Sequence, residues 1–222
     1  SAFTPYRPLS MNDPLLLFGL FHTSWLEIIS FVLAVVMVYF NIRQSPWGWL
    51  FGITSSALYA IVFYGARLYG DMGLQFFFIA VSLWGWYQWL FGGAQHHGVS
   101  ISCLDRRGWT LTLSGWALAY LILSWFLGSY TDTDVPHLDA FLTAGSVVGQ
   151  FLLSRKKIEN WHVWILIDLI YIGLYVHKHL VLTAVLFAIF VVMAIIGLLA
   201  WKKAFAASRD ERARLVESPV QS

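Results

Sequence analysis

Charge is what this chain has least of: Asp, Glu, Lys and Arg make up 12% of its 222 residues, about half of the roughly 25% carried by a soluble domain. With a mean hydropathy of +0.67 such a chain cannot cover a water-facing surface, and it reads as an integral membrane protein. Cysteine is nearly absent too. Cys103 stands alone, which excludes an intrachain disulfide and a thiolate metal cluster and leaves the redox compartment unread. There is no HExxH, no P-loop, no paired-glycine nucleotide fingerprint and no nucleophile motif, so nothing argues for an enzyme or a cofactor. The last apolar stretch holds no Lys, which removes the amine a retinal Schiff base needs. A net charge of +2 forms no nucleic-acid surface. Residues 1–14 lack the basic region and apolar run of a cleavable signal, and the start at Ser1 suggests processing; they carry no fold expectation.

Hydrophobic residues are abundant, at 59%. The uncharged intervals 44–66, 72–104, 108–131 and 179–201 each exceed the ~20 residues that cross roughly 30 Å of hydrocarbon. Intervals 28–42 and 140–154 reach that length if Glu27 and Asp139 sit at a membrane boundary, and 160–177 does so if Asp168 is tolerated inside. The expectation is an all-α integral membrane protein with seven transmembrane helices. The runs are too long and continuous for the ten-residue dyad pattern of a barrel. Their expected limits are Phe21 to Phe40, Trp47 to Tyr64, Leu74 to Phe91, Trp109 to Phe126, Leu138 to Leu153, Asn160 to His177 and Leu180 to Ala200. Pro46 suits a helix start, a polar turn is expected from Arg67 to Gly73, Gly92 and Gly93 stop the third helix, and Asp132 and Asp134 mark a loop. A charged, partly disordered tail follows from Lys202.

Orientation follows from Lys and Arg counted on alternate sides. Eleven fall with Arg43, Arg106, Arg155 and the tail; three, Arg7, Arg67 and Lys178, fall opposite. The first side is therefore cytoplasmic, the N-terminus outside and the C-terminus inside, which an odd number of spans requires. Shifting the chain by 115 residues sets Trp49 on Trp164 and Trp86 on Trp201, an internal repeat of the kind transporters carry.

The sixth helix holds the chemistry. At 100° per residue, Asn160, Trp164, Asp168, Tyr171 and Tyr175 fall within roughly 80° on one face. An amide, a carboxylate and three amphipathic rings stand where lipid would demand Leu or Val. Intramembrane ionisable groups usually face a bundle interior or cavity, and Asp168 lies too deep to reach the interface; its alternative is a structural carboxylate bonded to a neighbour. In the third helix Trp84 and Gln88 share a face. Gln88 near that helix's end and Asn160 with Trp164 near the start of the sixth lie at similar depth on the cytoplasmic half. Two amides and two indoles at one level suit a flat ligand carrying an amide or a positive charge. Trp161 reads as an interfacial belt residue, Trp86 and Trp89 as belt or packing residues. His96, His97, His177 and His179 read as loop residues at the water boundary, not metal ligands. Glu27 and Asp139 read as boundary carboxylates, and Gln75, Gln150, Thr143 and Ser146 either line a cavity or mediate helix contacts.

With Asn160-Trp161-x-x-Trp164-x-x-x-Asp168 after a basic loop, Trp84-x-x-x-Gln88 in an aromatic third helix, and seven spans, the chain resembles the PnuC family of bacterial vitamin B3 transporters over residues 20–202. The resemblance implies two parallel three-helix bundles joined by a linking helix (3+1+3), as in sugar-carrying SWEET proteins. The corresponding divisions are 1–20, an N-terminal segment; 21–91, the first bundle; 92–137, a loop and the linking helix; 138–202, the second bundle; and 203–222, a cytoplasmic tail. It implies nicotinamide riboside as substrate, facilitated diffusion with trapping by intracellular phosphorylation, the bacterial inner membrane, and a homo-oligomer, a trimer. Gln88, Asn160 and Trp164 are then the recognition set, with Asp168, Tyr171, Trp84 and Tyr59 behind them. Open alternatives are proton coupling through Asp168, a riboflavin or thiamine substrate, and a membrane receptor or assembly subunit that binds without moving its ligand.

Overall fold

In the computed structural model, residues 15–17, 21–23, 25–65, 69–93, 98–130, 135–177 and 181–217 are described. The expectations for residues 1–14, His96, His97, Asp132, Asp134 and His179 lie outside them. Seven helices follow in order: α1 Trp25–Ile42, α2 Trp47–Gly65, α3 Tyr69–Phe91, α4 Arg106–Tyr130, α5 Pro136–Ser154, α6 Asn160–His177 and α7 Val181–Glu217. The shortest has 18 residues, roughly 27 Å at 1.5 Å per residue, so each is about long enough to cross the hydrocarbon. Large apolar side chains face outward along them, among them Leu111, Leu118, Leu121 and Trp125 on α4, the pattern of a surface solvated by lipid.

The observed ends show what sets them. Where Phe21 was expected to open the first helix, β2 (Phe21–Thr23) pairs antiparallel with β1 (Leu15–Leu17), Leu16 opposite His22. That ladder takes residues 21–23 out of helical bonding, and α1 is described from Trp25. α3 begins at Tyr69, absorbing most of the expected polar turn. α4 begins three residues before Trp109 because Asp105 caps it, its Oδ1 accepting from Gly108 N at 2.7 Å. Pro136 opens α5 at its first turn, where the missing N–H costs nothing. α6 keeps the expected limits. α7 does not stop at Ala200: it continues unbroken to Glu217 through the charged segment expected to be a partly disordered tail.

α1 packs on α2, α2 on α3, α5 on α6 and α6 on α7; α4 lies against α5, with Trp116 stacked on Phe141 and no residue of the helix fully buried. The first and last helix triplets meet along two seams, α1 against α7 and α3 against α5.

The triplets repeat one another at a spacing of 112 residues, and the match extends to single hydrogen bonds. α1 ends on Gln44 at φ 55 and α5 on Lys156 at φ 47, left-handed residues that close a helix by the Schellman pattern. Gln44 N donates to Asn41 O at 3.0 Å and Ser45 N to Phe40 O at 2.9 Å; Lys156 N donates to Leu153 O at 3.0 Å and Lys157 N to Leu152 O at 2.9 Å. Trp49 lies edge-on to Trp89 (5.5 Å, 90°), as Trp161 lies to Trp201 (5.4 Å, 88°). Trp49 packs over Gly85 and Trp161 over Gly197. Across the seams, Trp89 Nε1 donates to Leu153 O at 3.1 Å and Trp201 Nε1 to Asn41 O at 3.2 Å. The partner of Trp49 is thus Trp161, not Trp164, and that of Trp201 is Trp89, not Trp86, which corrects the 115-residue shift. Trp161 is not a belt residue: it is 2% exposed and belongs to the core formed with Trp49, Trp89, Leu153, Ile158 and Trp201.

Candidate functional site

Gln88 and Asn160 directly precede Trp89 and Trp161, two members of the core of indoles. Trp164, half-buried, packs on its edge. The indole is seated on Gly149 of α5: a Cβ added there would stand 3.0 Å from Trp164 Cε2 and 3.3 Å from Nε1. A glycine is needed for that close approach, and it fixes the ring while part of its surface stays open. One turn earlier on α5, Gly145 receives Ile167 and Trp116 in the same way.

Asn160 is fully buried, and its amide is directed into the turn, where Nδ2 donates to Lys157 O at 2.6 Å. Its Oδ1 is enclosed with no hydrogen-bond partner among the described residues. A buried amide oxygen left unpaired costs about 1–3 kcal/mol, which marks this atom as one that a ligand or water would satisfy. Asp168, 6% exposed, lies two turns on from Asn160. Tyr171 and Tyr175 stack at 5.8 Å and 17°, and both pack on Phe187 of α7, at 4.6 and 5.3 Å. Tyr59, half-buried on α2, holds the position that Tyr171 holds on α6 in the 112-residue register.

Gln88 is 7% exposed, and the chain itself covers it. After Gly92 the backbone doubles back, so that Gln88 O accepts from both Gly92 N at 2.9 Å and Val99 N at 3.2 Å. Trp84, expected beside Gln88, has no such cover and points outward, 47% exposed, with its ring tilted on Tyr87. Trp164 thus packs on the indole core, Gln88 and Asn160 are buried beside its members Trp89 and Trp161 in the chain, Asp168 and Tyr171 follow along α6, and Trp84 lies on the outer surface.

Two further polar groups sit where the halves meet. Gln150 Nε2 donates to Ser82 Oγ at 3.5 Å across the α3–α5 seam, both side chains buried. Gln150 adjoins Gly149, the seat of Trp164. Gln150 had two readings from its sequence, and this contact favours the one that mediates helix packing; Ser82 gave no signal, since a serine in an apolar helix is ordinary. Outside the spans, burial lowers the Lys156 ammonium below the usual lysine range, and its Nζ stands 4.7 Å over the Trp89 ring. Burial, reinforced by the Glu159 carboxylate, raises the Cys103 thiol. No group of three metal-ligating side chains occurs among the described residues.

A buried amide on α6, an indole seated on Gly149 and a Gln150–Ser82 contact across the α3–α5 seam are the polar features of this part of the spans. A family model described as nicotinamide mononucleotide transporter matches residues 24–203. The riboflavin/roseoflavin transporter RibM of Streptomyces davaonensis is 25% identical over 202 residues, 90% of this chain and 93% of that protein. The nicotinamide riboside transporter PnuC of Neisseria mucosa is 27% identical over 159 residues, 68% of this chain and 60% of that protein. A crystal structure of the vitamin B3 transporter PnuC superposes with a TM-score of 0.64 at 25% identity, covering 81% of each chain. The chain belongs to the nicotinamide mononucleotide transporter family and is an all-helical membrane transporter of the PnuC type, not an enzyme.

Proposed function

We propose that this transporter equilibrates nicotinamide riboside across the bacterial inner membrane by facilitated diffusion. The helices act as two parallel three-helix bundles joined by α4, rocking about the site to expose it to either side, with the N-terminus outside and the C-terminus in the cytoplasm. The observation that carries the reading is Trp164: an indole in a membrane span, held by Gly149, with part of its surface open. A pyridinium stacked there gains about 1–2 kcal/mol by cation–π attraction against its lost hydration. Gln88 and Asn160 supply amides that pair reciprocally with a carboxamide, and the unpartnered Asn160 Oδ1 is an acceptor for its N–H. Asp168, Tyr171 and Tyr59 stand behind this set; Trp84, on the outer surface, is a member only if a second copy or lipid completes a path there. Phosphorylation of the ligand in the cytoplasm keeps the gradient inward. The homo-oligomer, a trimer, finds an apolar face on the outward side of α4, where Leu111, Leu118, Leu121 and Trp125 are exposed.

Riboflavin is the second reading, because the similarity to RibM extends over 93% of that transporter. Its ring system is also flat but uncharged, so it would stack on Trp164 without the cationic term. Liposomes containing only this protein separate the readings: entry of labelled nicotinamide riboside, unaffected by a pH gradient, is the expected result. Entry of riboflavin or thiamine instead reassigns the substrate, and binding without entry reassigns the chain as a receptor.

A further inference from the structure

The two seams differ at the end that carries the α1–α2 and α5–α6 turns. Trp201 bonds Asn41 O and Ile42 O across the α1–α7 seam, and from there α7 runs on as helix. Across the α3–α5 seam the equivalent bond, Trp89 to Leu153 O, is followed by a strap, residues 98–104, that crosses from one half to the other. Gly98, at φ +88, lies directly against the Trp89 carbonyl, where a side chain would collide. Val99 N holds Gln88 O. The strap then pairs with the α5–α6 turn: Ser102 N donates to Lys156 O at 3.1 Å, Ile158 N donates to Ser102 O at 3.0 Å, and Lys157 Nζ donates to Cys103 O at 3.2 Å. Leu104 N donates to Glu159 Oε1 at 2.9 Å, and Glu159 is itself buried. Further along the same seam Ser82 meets Gln150. No counterpart of the strap lies on the α1–α7 seam among the described residues.

We propose that the strap, latched by Glu159, clamps the α3–α5 seam shut at the cytoplasmic end throughout transport, so that the ligand leaves on that side between α1 and α7. The inference rests on the alternating-access reading above. Glu159 is a positioning residue in it: its carboxylate holds the strap and touches no ligand. A gate at α3–α5 would have to break five bonds and expose a buried carboxylate in every cycle, whereas α1–α7 parts with the two bonds from one indole.

Ser102 and Lys157 are bridge partners, at the spacing of about 4.8 Å between paired strands that a disulfide accommodates. With Cys103→Ser to remove the native thiol, the pair Ser102→Cys and Lys157→Cys locks the strap when oxidised. Uptake of labelled nicotinamide riboside into liposomes should then stay within about twofold of the reduced protein. Loss of uptake on oxidation, recovered with a reductant, overturns the clamp. In the same background Glu159→Ala should cut the maximal uptake rate at least fivefold with binding affinity unchanged, Glu159→Gln should keep the rate because its amide oxygen still accepts from Leu104 N, and oxidation should restore the Ala variant. A Glu159→Ala protein with unaltered rate, or one that oxidation does not restore, overturns the latch. Uptake by the unaltered chain tests the transport reading separately.

Discussion

Replacing Gly149 by alanine probes Trp164 without removing any group that meets the ligand. The new methyl would lie 3.0, 3.2 and 3.3 Å from Trp164 Cε2, Cζ2 and Nε1, against an optimum of about 3.5–4.0 Å, so the half-buried ring recedes by roughly half an ångström. A gap of that size forfeits a quarter to a half of a dispersion contact. Applied to a stacking and cation–π energy of about 1–2 kcal/mol, it costs about 0.3–1 kcal/mol, a two- to fivefold weaker Kd at ~1.4 kcal/mol per tenfold. Trp164→Ala removes the whole interaction and should weaken binding about five- to thirtyfold. Helix propensity favours alanine by up to ~1 kcal/mol, so Gly149→Ala should melt no lower than the parent. Gly145→Ala is the contrast: its methyl would meet Ile167 Cδ1 and Trp116 Cζ2 at 2.6 Å and should lower the melting temperature. Calorimetric titration with nicotinamide riboside beside thermal melts reads both effects. If Trp164→Ala and Gly149→Ala both bind like the parent, the indole is not the stacking surface and the site is misplaced.

Three other outcomes are expected. Trp84→Ala, on the outer surface, should leave affinity within twofold in the same titration; a tenfold loss would return Trp84 to the recognition set. Asp168→Asn should still equilibrate labelled ligand across liposomes irrespective of a pH gradient, and uptake that follows the gradient in the parent but not in the variant would establish proton coupling. At the equivalent point of the two seams, Trp89→Phe removes the indole N–H given to Leu153 O, and Trp201→Phe the one shared between Asn41 O and Ile42 O. Each should cost about 0.5–1.5 kcal/mol, read as similar falls in melting temperature; a large inequality would mean that the seams are not equivalent there.

How far the fold is written in the amino-acid order depends on which force sets each feature. Seven spans are readable because excluding charge from hydrocarbon is a local, strong constraint, and α6 was bounded correctly because Glu159 and Lys178 flank an uncharged stretch broken only by Asp168. The length of α7 was not readable that way: charge ends a span without ending a helix, and Lys202 to Glu217 contains no Pro or Gly to stop it. The register of the repeat was missed by three residues. Three residues turn a helix by 300°, so a shift of 115 in place of 112 moves each indole only about 60° around its helix and preserves the apolar pattern. Hydrogen bonds to single carbonyls distinguish the two. The strap was invisible because its place in the fold comes from pairing with a turn more than fifty residues away.

The correct register also explains why the polar face of α6 has no twin. It sets Gly48, Gly52 and Ser56 of α2 against Asn160, Trp164 and Asp168 of α6. In the first half the small residues lie on α2, and α1 fills the space above them: Cβ atoms at Gly48 and Gly52 would meet Asn41 Oδ1 at 2.5 Å and Met37 Sδ at 2.9 Å. In the second half the roles are exchanged. Met37 corresponds to Gly149, and the bulk comes from α6 as Trp164. The same volume is thus packed from opposite helices, and only the second arrangement brings an indole and a carboxylate into one row on the helix next to both α5 and α7. Two alike halves thus differ by a glycine-for-bulk exchange between neighbouring helices, which leaves the row of Asn160, Trp164 and Asp168 in the second half alone.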